Sequence, residues 1–168
     1  MAGGGEGQDD LPTRIRALED REAIRDLIAR YGPLVDSGDC AGAAALWTPD
    51  GSYDVGGFGL CHGRQEIAAI LEGETHQALI AGGAAHLLSP PVIDLDGDRA
   101  SARTYSVVFR HRDGGWEAHR VSANAWTLVR TQEGWRVAHR VNRLLNGDAQ
   151  ARAVIGGLAG DDWPSPPA

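Results

Sequence analysis

The feature that most constrains this chain is a change of hydrophobic period near its midpoint. In the first part, Ile15, Leu18, Ile24, Leu27, Ile28, Tyr31 and Leu34 recur at helical spacing, which draws one apolar stripe down a helix. From His86 onward the pattern becomes strand-like, in the stretches His86–Leu95, Arg99–Arg112, Trp116–Arg130 and Trp135–Leu145. The turns Asp96-Gly97-Asp98, Asp113-Gly114-Gly115 and Gln132-Glu133-Gly134 divide them, and strands joined by tight turns form an antiparallel meander. Helices that lead into such a meander define an α+β class, with the helices packed on one sheet.

The first helix is predicted from Thr13, its N-cap, to Val35, with Gly38 as the stop. Gly32-Pro33 should bend or restart it, because proline removes a backbone donor. A short helix over Ala41–Trp47, a turn at Thr48-Pro49-Asp50-Gly51, a strand from Ser52 to Val55 and a third helix over Gly63–Leu71 follow. Pro90-Pro91 demotes the middle of the first long strand to an edge or a bulge. Residues 13–146 read as one domain, between a disordered segment 1–12 and a partly disordered tail 147–168 that carries Trp163.

Composition excludes several functions. A formal net charge of −7 argues against a nucleic-acid partner, since phosphate binding needs a basic face. No apolar run reaches the roughly 20 residues of a membrane span, and the Gly-rich, acidic start is no secretion signal. The chain is expected in the cytoplasm, with Cys40 and Cys61 unbonded rather than joined in a disulfide.

Few residues carry chemistry. Tyr31 lies on the buried stripe, as a core tyrosine or as a hydroxyl donor at a pocket floor. Asp36 stands at a helix end, where the dipole disfavours a carboxylate. It is either solvated among Ser37-Gly38-Asp39 or paired inside the fold with an imidazolium or an arginine. His86 opens a strand among apolar residues and is the natural general base, its ordinary pKa lying near neutrality. His62, His76, His111 and His119 fall in apparent loops or among charges and read as surface groups. In the last strand, Trp135, Val137, His139, Val141 and Arg143 share the apolar face by strict alternation, with Arg136, Arg140 and Asn142 opposite. That aims Arg143 inward to a carboxylate or a ligand oxygen, unless it lies past the core and reaches water.

The stretches Ile24-Arg25-Asp26-Leu27-Ile28-Ala29-Arg30-Tyr31, Leu34-Val35-Asp36-Ser37-Gly38-Asp39 and Leu46-Trp47-Thr48-Pro49-Asp50-Gly51-Ser52-Tyr53 resemble SnoaL-like proteins of the nuclear-transport-factor-2-like superfamily. So do Gly63-Arg64, His86-Leu87-Leu88-Ser89 and Gly134-Trp135-Arg136-Val137. The resemblance implies a cone-shaped barrel, a curved antiparallel sheet wrapped around three N-terminal helices, with a deep internal pocket. It places Asp36 and His86 on the Asp/His positions of scytalone dehydratase, the lindane dehydrochlorinase and the bile-acid 7α-dehydratase. Tyr31, Tyr53 and Arg143 fall at or near further catalytic positions of the last. Val55 stands where ketosteroid isomerase has its base and scytalone dehydratase a tyrosine, and Thr104 and Tyr105 stand where the latter has a second histidine. Neither of those activities transfers whole.

The resemblance implies a cofactor-free lyase or isomerase for a hydrophobic ring compound, such as a steroid or polyketide. Asp36, His86 and Tyr31 would be catalytic, with Tyr53, Val55, Tyr105 and Arg143 against the substrate. The alternatives are a non-catalytic small-molecule-binding or assembly protein, and a structural chain like a dioxygenase β-subunit. No metal or redox cofactor is needed, and a homodimer or homotrimer is expected.

Overall fold

A 26-residue helix, α1 (Leu11–Asp36), opens the computed structural model, which describes residues 11–156. Its buried side is made by Asp20, Ile24, Leu27, Ile28, Tyr31, Gly32 and Val35. The predicted stripe holds from Ile24 onward, whereas Ile15 and Leu18 remain exposed. The helix begins before Thr13, which therefore does not cap it, and runs through Pro33 without a restart. Gly38, at φ 79°, ends it as expected. The proline sits in the final turn, so the missing donor costs only one late hydrogen bond.

After α1 come α2 (Cys40–Ala44), β1 (Trp47–Val55), β2 (Gly59–His62), α3 (Gly63–Glu72), α4 (Glu74–Ala81), β3 (Ala84–Leu88), β4 (Val92–Asp96), β5 (Arg99–Arg112), β6 (Gly115–Thr131), β7 (Gly134–Leu144) and α5 (Ala149–Gly156). Two helices were not foreseen. Helix α4 follows α3 across Gly73, and α5 occupies part of the predicted disordered tail. The predicted strand His86–Leu95 is split at Ser89-Pro90-Pro91 into β3 and β4, both paired with β5. Trp163 and residues 1–10 lie outside the described residues.

The strands form one sheet in the order β2-β1-β7-β6-β5-β3, with β4 beside β5. Every pairing is antiparallel except β1 with β7, which run parallel. The sheet is therefore mixed rather than wholly antiparallel. Its end strands β2 and β3 do not pair, so the expected barrel is left open. Helix α1 lies against β3, where an ideal Cβ on Gly32 would sit 2.1 Å from the carbonyl oxygen of His86. Glycine is required there by close approach, not by backbone freedom. On the opposite face of the sheet, α5 is tied down where Arg103 of β5 donates to the carbonyl of Val154 at 2.7 Å.

Bulges decide which residues face inward. On β7, Val137 pairs with Leu128 and His139 with Thr127, so Ala138 is an extra residue. On β6, His119 is extra between Ala118 and Arg120. Each bulge shifts the in–out alternation by one position.

Candidate functional site

The last residue of α1 meets the middle of β3. Asp36 Oδ1 lies 2.6 Å from His86 Nδ1, and Asp36 Oδ2 accepts the backbone N–H of His86 at 2.8 Å. A carboxylate only accepts, so the proton sits on Nδ1 and Nε2 is left as a base. Both contacts also satisfy the carboxylate at a helix end that disfavours it. Burial pushes His86 below the ordinary histidine range, against the opposing pull of Asp36. His76 and the Arg140 charge lower it further. The ring is thus neutral, and able to accept a proton, at neutral pH.

His86 opens onto a cavity of about 730 Å³, with a largely apolar wall that includes Val55, Phe58, Ile70, Leu79, Leu88 and Val108. Such a volume suits a multi-ring organic molecule. On the cavity lining Arg140, 2% exposed, stands among the faces of Tyr31, Tyr53 and Trp126 at 4.2, 4.6 and 4.0 Å. Aromatic faces attract a guanidinium and offset part of its desolvation. Burial raises the Tyr53 hydroxyl pKa, against the lowering pull of Arg140, so the group remains a neutral donor. Trp126 Nε1 donates to Thr104 Oγ1 at 3.0 Å, which fixes one wall of the cage.

Tyr31, Tyr53, Val55 and His86 all line this cavity, with Asp36 directly behind His86. Arg143 and Tyr105 do not. Past the Ala138 bulge, Arg140 and Asn142 turn into the cavity, and Arg143 turns to the outer face. There Arg143 binds Asp54 at 2.9 and 2.6 Å. Tyr105 is 50% exposed, because its neighbours Thr104 and Ser106 hold the inward positions on β5. His119 is exposed as expected yet also lines the cavity, whereas His76, expected on the surface, is only partly exposed there. His76 is carried in by α4, its ring centroid 5.5 Å from that of His86, and His119 by the β6 bulge. His62 and His111 are exposed as anticipated, while Cys40 and Cys61 are buried free thiols.

Sequence reasoning missed Arg140, Arg120, Asn142 and His76. The first three depend on bulges that strict alternation cannot foresee, and His76 on a helix whose apolar pattern is weak. Among the described residues no three His, Cys, Asp or Glu side chains cluster as a metal site, and no helix is long and apolar enough to cross a membrane.

Helices packed on an open, curved sheet, with a carboxylate–imidazole pair at the wall of a deep cavity, define a small α+β cavity protein. The chain belongs to the SnoaL-like domain family, which matches residues 16–141. An NTF2-like protein with a cystatin-like fold from Novosphingobium aromaticivorans is 54% identical, with a TM-score of 0.85 over 89% of this chain and 99% of that one. Rv3472 of Mycobacterium tuberculosis, described as of unknown function and solved as a single-substitution variant, is 26% identical, with a TM-score of 0.70 over 92% of each chain. A protein from Catenulispora acidiphila, solved in complex with S-DNPA, is 25% identical, with a TM-score of 0.67 over 79% of this chain and 96% of that one. No curated protein matches the chain.

Proposed function

We propose that the protein is a cofactor-independent lyase or isomerase that acts on a hydrophobic ring compound, such as a steroid or polyketide, by proton abstraction at His86. The observation that carries this reading is the 2.6 Å Asp36–His86 contact at the wall of the cavity. His86 Nε2 takes a proton from a carbon next to a ring carbonyl; the C–H electron pair forms the carbon–carbon double bond of an enolate, and the carbonyl π pair moves onto oxygen. Asp36 stabilises the imidazolium that results. Tyr31, Tyr53 and Arg140 line the same cavity and would hold the oxyanion. The oxyanion then re-forms the carbonyl, and the enolate pair either breaks the C–O bond of a β-hydroxyl, which takes the imidazolium proton and leaves as water, or takes that proton at a second ring carbon conjugated with it. The S-DNPA bound by the C. acidiphila neighbour supports a small-molecule ligand for this fold.

In this reading the protein works in the cytoplasm as a homodimer or homotrimer. The exposed Leu87, Tyr105 and Val121 support self-association.

The test is dehydration or isomerisation of a library of cyclic hydroxy-ketones by wild type and by His86→Ala. A positioned base contributes about 10²–10⁴-fold, so the variant should lose turnover on that scale. Equal turnover by both proteins removes the mechanism, and no turnover by either favours a ligand-binding role.

A further inference from the structure

Buried guanidinium groups require a compensating anion or a full set of acceptors. The partly buried Arg130, Arg136 and Arg143 each meet a carboxylate, from Asp20, Glu133 and Asp54 respectively. Arg110, at the cavity, meets Glu117. Arg140 and Arg120 also line the cavity, yet neither meets a carboxylate among the described residues. They are joined instead through neutral amides. Arg140 donates from Nε and Nη2 to Asn124 Oδ1 at 3.1 and 2.8 Å, and Asn142 Nδ2 donates to the same oxygen at 2.9 Å. Arg120 Nη2 donates to Asn142 Oδ1 at 2.9 Å and to the carbonyl of Gly56 at 2.7 Å.

The chain is acidic overall, with a net charge of −7, yet its cavity holds two cations that meet no carboxylate among the described residues. Arg140 Nη1 is buried without a hydrogen-bond partner among the described residues, and an unmade bond to a buried charged donor is costly. Asp36 is committed to His86, and Glu74, the acidic side chain on the cavity wall, is exposed to solvent. One cation would suffice for an oxyanion that forms only during proton transfer. Two, linked and charged at rest, match a group that is negative before any chemistry.

We infer that the ligand of this cavity carries a permanent anionic oxygen, a carboxylate or an ionised phenol on its ring skeleton, held by Arg140 and Arg120. The inference rests on the ring-binding half of the proposed function and not on base chemistry at His86.

The experiment is calorimetric titration of the full chain at low salt with 2-naphthoate and with 2-naphthamide, its uncharged near-isostere. A hydrogen bond to a charged group predicts tighter binding of the naphthoate, by about tenfold or more. Arg140→Gln and, separately, Arg120→Gln should remove most of that preference. If the Arg140 variant does not fold, the wild-type preference and the half-buried Arg120→Gln carry the test. Equal or tighter binding of the amide, no binding of either ring at about 1 mM, or a preference that survives Arg120→Gln and any folded Arg140→Gln would overturn the inference. Hydroxy-ketone turnover on the same preparation separates the two readings. A naphthoate preference without turnover sinks only the lyase, and turnover without the preference sinks only the anion.

Discussion

Gly32 of α1 and His86 of β3 pass so close that a methyl group on the glycine would overlap the histidine carbonyl, at 2.1 Å. Asp36 lies one helical turn further on, so this approach sets how near its carboxylate comes to the His86 ring. Alanine normally stabilises a helix interior relative to glycine by about 1 kcal/mol. Here the clash is with backbone and cannot be relieved by a rotamer change. Gly32→Ala is expected to destabilise the fold by about 1–3 kcal/mol, measured by urea denaturation, and to weaken the Asp36–His86 contact. A stability gain would show that α1 does not seat as described.

The contribution of Asp36 can be read from a pH profile. Its hydrogen bond and charge raise the His86 pKa against burial. Asp36→Asn should therefore move the acid limb of turnover to still lower pH, and reduce the plateau by about 10²–10⁴-fold as the tautomer and imidazolium lose support. A limb that moves upward would contradict the assignment.

Stability should also follow the buried imidazoles. Burial holds both His86 and His139 below the ordinary histidine value of 6.5. Between that value and the lower folded ones the unfolded chain binds more protons, so stability is complete above about pH 6.5 and falls as the pH drops through this window. Asp20, held low first by its bond from Arg130, loses its contribution only as the pH falls below the ordinary carboxylate value of 3.8. Thermal unfolding should thus show a decline in Tm from pH 7 towards pH 5, separate from a second at strongly acid pH. A flat Tm across the first window would count against neutral buried rings.

Two substitutions test the placement of outward residues. Arg143→Ala breaks a partly exposed pair with Asp54, which costs about 1 kcal/mol or less, and should leave ligand binding and turnover intact. Tyr105→Ala, at a half-exposed position, should do the same. A loss of turnover in either variant, with stability preserved, would return that residue to the site.

The sequence made the broad fold legible where local pattern and tertiary structure agree. Strand β5 has the predicted limits, Arg99 and Arg112, because tight turns bound it on both sides. The family resemblance pairs Asp36 with His86, where spacing alone leaves Asp36 open, and the fold brings them together. Position could not say that His86 donates through Nδ1, nor that its backbone N–H shares the same carboxylate. Helix α4 escaped because none of its side chains is fully buried, so no strong apolar stripe marks it. Arg140 escaped for a different reason. Counting alternate residues assumes an unbroken ladder, and β7 is broken at Ala138.

That single extra residue behaves like a reading-frame shift within the strand. Before it, odd-numbered positions such as Trp135 and Val137 face inward, and after it the even-numbered Arg140 and Asn142 do so. A homologue whose last strand lacks the bulge would need a one-residue gap opposite Ala138 to bring its cavity residues into line with Arg140 and Asn142. Without that gap, inward positions in one chain would be matched to outward positions in the other. Inserting or losing one small residue here can therefore change which charges face a bound molecule while every functional side chain remains in the sequence.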